Sequence, residues 1–150
     1  MLWKDYFLVL KKLAGKEIRM SKDTIGDFLT IIRNGIMASK RQVVAPHANL
    51  RVEIAKILKD EGFIKDIIVE EIDPVKKEIT IFLKYVDGES VIHEINRVSK
   101  PSKRHYARTG EVKPVIGGLG ISILTTSKGV ITDKKAKELA IGGEVICTVW

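Results

Sequence analysis

The chain has 150 residues, 45% of them hydrophobic, with 26 Lys and Arg against 19 Asp and Glu for a net charge of +7. That length suffices for one compact domain, or two small ones sharing an interface, without metals or cross-links to hold the core. The single cysteine, Cys147, excludes an intrachain disulfide and a cysteine-based zinc site and suits a reducing compartment, and no run reaches the roughly 18 apolar residues of a membrane span.

At the start of the chain Trp3, Phe7, Leu10 and Ala14 recur at helical spacing with Lys11, Lys12 and Lys16 between them, which predicts an amphipathic helix. The apolar run from Tyr6 to Leu10 is too short for a secretory signal. Asp5, Glu17 and the lack of serine argue against an organelle presequence. Met20-Ser21-Lys22-Asp23 resembles a second beginning, so residues 1–19 read as an upstream in-frame start or an extension, with a membrane-surface anchor as the rival.

Ile25, Phe28, Leu29 and Ile32 then fall at i, i+3, i+4 and i+7 and predict a helix, capped by Ser21 or Asp23 and ended by Asn34-Gly35. An extended piece follows at 43–46. Asn49 is expected to cap a second helix with Leu50, Ile54, Ile57 and Leu58 on one face and Gly62 as its stop. Strands are expected at 63–72, 78–85 and 90–98, separated by Asp73-Pro74 and by Asp87-Gly88, a tight-hairpin signal because both residues tolerate positive φ. Beyond Lys113 the pattern is strands with one short helix, opened by Thr132 or Asp133 and closed near Gly142-Gly143. The expectation is an α+β fold of two small domains: after the extension at 1–19, an α/β half at 20–98 and a mostly β half with one short helix at 99–150.

Charge is concentrated rather than spread. Residues 97–113 hold six basic side chains, Arg97, Lys100, Lys103, Arg104, Arg108 and Lys113, against Glu111 alone, for +5. Residues 1–19 carry +3, which leaves the rest of the chain at −1. A near-neutral body with cationic segments is the footprint of a protein that neutralises phosphates at a defined place, while the plainer reading is a solvated loop.

Beside that connector, Thr125, Thr126 and Ser127 offer three successive hydroxyls. Strand alternation sends Thr126 to the other face unless the strand bends at Ser127-Lys128-Gly129, and the three are otherwise simple β-formers. Tyr106, among Lys103, Arg104, His105 and Arg108, either stacks on an unpaired base or packs on its own loop. Glu144 either accepts from a base amino group or orients Lys128 or a turn amide. Gly142 and Gly143 are read as a tight turn that also allows close RNA approach. Arg33 and Asn34, at the expected helix end, serve as cap and dipole complement.

Rival chemistries find little support. Gly117-Gly118-Leu119-Gly120 precedes a strand rather than joining a strand to a helix, and no Gly-Lys-Ser/Thr follows, so a phosphate-cradling loop is not indicated. His47, His93 and His105 lack metal-ligand spacing, and no Gly-x-Ser-x-Gly or Ser-x-x-Lys supplies a nucleophile. No cofactor, metal or catalytic residue is therefore expected. An RNA-processing enzyme remains as the second hypothesis, marked by a pocket with a strongly perturbed carboxylate or histidine.

Ordered motifs from Ser21 to Trp150 resemble the bacterial-type family of small-subunit ribosomal protein number eight. They are Asp23-Thr24-Ile25, Ile32-Arg33-Asn34, Glu61-Gly62-Phe63-Ile64, Arg97-Val98-Ser99-Lys100-Pro101-Ser102, Gly118-Leu119-Gly120, Thr125-Thr126-Ser127, Gly129, Thr132-Asp133, Ala136, Gly142-Gly143-Glu144 and Val149-Trp150. Thr24 stands where many members have proline, Ser102 replaces a glycine after Lys100-Pro101, and Thr125 replaces a serine but keeps the hydroxyl. A glycine at position 102 would allow positive φ or close RNA approach, and serine gives up part of that freedom.

The resemblance implies a non-enzymatic structural constituent of the small ribosomal subunit that binds the central domain of its RNA and supports assembly. The implied contacts are Lys100, Lys103, Arg104, Tyr106, Arg108, Thr125, Thr126, Ser127, Gly142, Gly143 and Glu144, with Arg33 and Asn34 as a second site. Implied partners are small-subunit ribosomal RNA, neighbouring small-subunit proteins numbers five and twelve, and the protein's own messenger, with no membrane. The implied location is a bacterial cytoplasmic ribosome or an organellar ribosome of bacterial type.

Overall fold

A computed structural model describes residues 24–112 and 114–150. The amphipathic segment read at 1–19, the caps read at Ser21 and Asp23, and Lys113 lie outside the described residues.

Helix α1 spans Thr24–Met37 and buries the expected stripe of Ile25, Phe28, Leu29 and Ile32. It does not stop at Asn34-Gly35. Gly35 is buried inside the helix, where a Cβ would lie 2.2 Å from Val43 Cγ1; the glycine lets the helix approach its neighbouring strand instead of ending it. The terminator is Ser39, left-handed at φ 52. Around it the amide of Lys40 reaches the Gly35 carbonyl and that of Ser39 the Ile36 carbonyl, the bond pair that closes a helix on an αL residue.

Helix α2, Asn49–Asp60, buries Ile54, Ala55 and Leu58 together with Arg51. Its N-cap is the extended Ala48, with no side-chain cap bond, and Asn49 is the first helical residue rather than the cap. Gly62, at φ +81, ends the helix as its position predicts. Arg51 is 6% exposed, yet its guanidinium is satisfied: Nε and Nη2 donate to the Thr24 carbonyl at 3.1 and 2.8 Å and Nη1 to that of Pro46 at 3.0 Å. It also lies over the Phe28 ring, 5.7 Å from the centroid, so one buried cation ties α1, α2 and the end of the first strand together.

Both helices pack on a three-stranded antiparallel sheet of β1 (Gln42–Pro46), β2 (Ile64–Glu71) and β3 (Lys77–Leu83), ordered β1-β3-β2. Val43, Ala45, Ile79 and Ile81 fill the interface. The strand expected at 90–98 is broken. β4 (Tyr85–Val86) and β5 (Glu89–Ser90) form a small hairpin on Asp87-Gly88, whose φ values of 51 and 80 fit the expected turn. Ser90 Oγ then accepts the Ile92 amide, and the amides of His93 and Glu94 both bond the Trp150 carbonyl. The chain has thereby crossed to a second sheet, which it joins as β6 (Ile95–Arg97).

That sheet is ordered β6-β10-β8-β9, with the short β7 (Tyr106–Ala107) also paired to β10. β8 is Ile121–Thr126, β9 Gly129–Thr132 and β10 Gly143–Val149. Helix α3, Asp133–Leu139, is opened by Thr132, whose side chain accepts the Lys135 amide, and ends on left-handed Ala140, ahead of the glycine pair. One apolar cluster runs from Ile25, Phe28 and Ile54 through Ile79 and Ile95 to Ile123, Cys147 and Val149. The architecture is α+β, as expected.

Candidate nucleic-acid interface

The basic connector owes its shape to two turns. Past β6, the amides of Lys100 and Lys103 each bond the other's carbonyl, at 2.9 and 3.0 Å, closing a turn on Pro101 and Ser102. Proline presets φ for the first corner, and Ser102 does not have positive φ, so the turn does not require the left-handed freedom of a glycine there. The second turn closes through the Glu111 amide on the Arg108 carbonyl, while the Glu111 carboxylate takes the Arg108 amide at 2.9 Å. The connector's one acid is thus spent on a turn. Lys100, Lys103, Arg104 and Arg108 all remain exposed.

Between those turns the chain is held against β10. The Val145 amide donates to the His105 carbonyl at 2.9 Å, Tyr106 stands opposite Glu144, and Ala107 opposite Gly143. Glu144 Oε1 accepts from Ser99 Oγ at 2.5 Å and from Arg104 Nη1 at 2.9 Å. The Ser99 hydrogen bond, then Arg104, hold the Glu144 carboxyl below the usual carboxylate range, against partial burial. Glu144 therefore orients Arg104, not Lys128. Its second oxygen has no hydrogen bond among the described residues.

Glu144 also stands opposite Thr125 on β8. Tyr106, Glu144 and Thr125 accordingly form one cross-strand row on one face of the sheet, and the Tyr106 ring is 72% exposed rather than packed on its loop. β8 ends at Thr126, and Ser127-Lys128 make a two-residue turn into Gly129, at φ +98. The Thr126 hydroxyl donates to the Gly129 carbonyl at 2.9 Å and accepts the Lys128 amide at 3.1 Å. The anticipated bend is present, with Ser127 exposed at its tip.

Gly142 and Gly143 do not form a tight turn. Neither has positive φ; a Cβ on Gly142 would lie 2.3 Å from the Ala107 carbonyl oxygen, and one on Gly143 would lie 2.3 Å from that of Thr125. They are glycines because three chain segments converge too closely for any side chain.

Arg33 and Asn34 are not part of this assembly. α1 continues past them, so they are neither cap nor dipole complement. Arg33 Nη2 donates to the Ile95 carbonyl at 2.5 Å. Ile95 pairs with Val149, about 17 Å along β10 from Glu144 at the usual strand rise. Of the histidines, His93 stacks on Trp150, with centroids 5.5 Å apart, and among the described residues no group of three or more His, Cys, Asp or Glu is placed to hold a metal. Among those residues, also, no helix is long and apolar enough to cross a membrane.

Ser99 was not foreseen as part of the site. It is 1% exposed, and it bonds the connector to β10 at several points. The only signal for it in the sequence is its place in the Arg97-Val98-Ser99-Lys100-Pro101 motif.

Fold and site together define a small α+β protein that clamps a cationic double turn, a bare phenol and a hydroxyl-tipped hairpin onto one end of an antiparallel sheet. A family model described as ribosomal protein S8 matches residues 23–150. The small ribosomal subunit protein uS8 of Marinobacter nauticus is 50% identical over 129 residues, which cover 86% of this chain and 98% of that protein. Its counterpart in Anaeromyxobacter sp. (strain K) is 50% identical, over 85% of this chain and 97% of that protein; the one in Citrifermentans bemidjiense is 48% identical with the same coverage. The chain belongs to the ribosomal protein S8 family.

Proposed function

We propose that the chain is a non-enzymatic constituent of the small ribosomal subunit whose 99–150 half binds the central domain of the subunit's RNA and helps it to fold. The observation that carries this reading is the Glu144 bracket, a row of Tyr106, Glu144 and Thr125 across one end of the sheet with Arg104 held to Glu144, beside exposed Lys100, Lys103 and Arg108. A-form RNA offers phosphates and 2′-hydroxyls along a wide, shallow minor groove. The lysines and arginines meet the phosphates, and Thr125, Thr126 and Ser127 meet the ribose hydroxyls. Tyr106 stacks on an unpaired base, and the second oxygen of Glu144 accepts from a base amino group. Gly142 and Gly143 let the backbone come close. Arg33 and Asn34, at the other end of β10, serve a second RNA segment. The same reading makes small-subunit proteins five and twelve the neighbours, allows binding to the protein's own messenger, and places the chain on a bacterial or bacterial-type organellar ribosome.

A salt titration of the full chain on a central-domain ribosomal RNA fragment, with duplex DNA as competitor, tests it. The fragment should be preferred, and Ala at Lys100, Lys103 or Arg108 should each flatten the log affinity against log salt slope by about 1. Equal binding of duplex DNA would overturn the reading.

A further inference from the structure

Ser99 uses all of its polar groups, and each reaches a different part of the site. Its amide donates to the carbonyls of Val145 and Ile146 at 3.1 and 3.3 Å. Its hydroxyl donates to Glu144 at 2.5 Å and accepts the His105 amide at 3.2 Å. Its carbonyl accepts from Arg97 Nε. One small residue therefore joins the chain before the Lys100–Lys103 turn, the chain after it, and β10, on which both lie. A hydroxyl is needed because the position must donate and accept at once: a carboxylate on one side, an amide on the other.

We propose that Ser99 is a positioning residue for RNA recognition: it fixes the rotamer of Glu144, and through Glu144 that of Arg104, so that a guanidinium and a carboxylate oxygen meet the RNA in one fixed geometry. The proposal rests on the RNA-binding function proposed above. Without the hydroxyl, the part-buried His105 amide loses its acceptor and Glu144 loses its principal partner, so Arg104 keeps its charge while the carboxylate that helps to aim it is no longer held. Charge without aim preserves attraction to any polyanion and forfeits the choice among them.

The test is a double-mutant cycle on the full chain with Ser99→Ala, Arg104→Ala and the pair, measuring affinity for the central-domain fragment and for transfer RNA. Ser99→Ala should weaken the cognate complex about tenfold, in line with loss of a hydrogen bond to a charged group, and leave transfer RNA binding and the salt slope nearly unchanged. Arg104→Ala should weaken both complexes by the loss of its charge, but in the Ser99→Ala chain it should take little further from the preference for the fragment over transfer RNA, because in that preference the two act as one. Additive losses of preference would overturn the proposal, and so would an unchanged preference alongside a lowered melting temperature, the outcome of a merely structural role. If Ser99→Ala does not fold, Ser99→Cys keeps the side-chain shape and backbone bonds, with a somewhat larger sulfur in place of the oxygen, while weakening the donor, and the same criteria apply. A wild-type chain with no preference for the fragment would instead defeat the underlying functional reading, and the wild-type arm reveals that separately.

Discussion

Glu144 is a carboxylate whose ionised form the fold favours, since Ser99 first and Arg104 second stabilise the charge. Its pKa in the folded chain is therefore below its ordinary value in the unfolded chain. By linkage, the stability it contributes is complete above that ordinary value and is lost as pH falls through the lower, folded one. Glu144→Gln should accordingly be less stable than wild type at neutral pH and flatter in its acid limb. Urea midpoints between pH 7 and pH 3 measure this; parallel curves would show that Ser99 and Arg104 give the carboxylate nothing. Arg51 shows the opposite balance at the same scale. Burial lowers its pKa and Asp27 offsets that in part, but three hydrogen bonds to backbone carbonyls satisfy the guanidinium, which is the condition for keeping a cation inside.

At the level of elements, the convergence of β7, β8 and β10 is set by Gly142 and Gly143. Gly143→Ala would push a methyl to 2.3 Å from the Thr125 carbonyl oxygen, a backbone atom that cannot swing aside. The variant should lose at least about 2 kcal/mol, in the range of overpacked sites, as read from a shifted urea midpoint; an unchanged midpoint would mean that the strands part freely. Much at this scale was legible beforehand. The stripe Ile25, Phe28, Leu29, Ile32 and the turn signals Asp87-Gly88 and Gly62 act locally, so spacing reveals them. Helix ends were less legible: Gly35 and Asn49 carry stop and cap signals, yet tertiary approach to Val43 overrides the first and Ala48 precedes the second. The run at 90–98 read as one strand because Val91, Ile92 and Ile95 are apolar whichever sheet receives them; nothing local says that β6 pairs with β10. Ser99 escaped notice for the same reason, its key partner lying 45 residues away.

For the molecule as a whole, one apolar cluster links the helices of the first half to the second sheet, so both halves should unfold together. Cys147 offers a probe, being 0% exposed with its thiol pushed up to about 12 by burial, and so unreactive while the fold is intact. Its alkylation in rising urea and the loss of helical circular dichroism should share one midpoint. Earlier alkylation would show instead that the residues 99–150 open independently.

The irregularity in β10 carries a further meaning. Val145 faces Leu124 but Cys147 faces Ile123, so Ile146 is an extra residue in the pairing. A strand's side chains alternate, and a slip of one inverts their faces. The inserted position thus acts as a phase shifter: it puts Glu144 on the side of the sheet shared by Thr125 and Ile123. Pairing Ile146 regularly, without that irregularity, would instead set Glu144 opposite Thr126 and send its carboxylate to the reverse side of the sheet. The face of the sheet that carries Glu144 is set by register as much as by the kinds of residue.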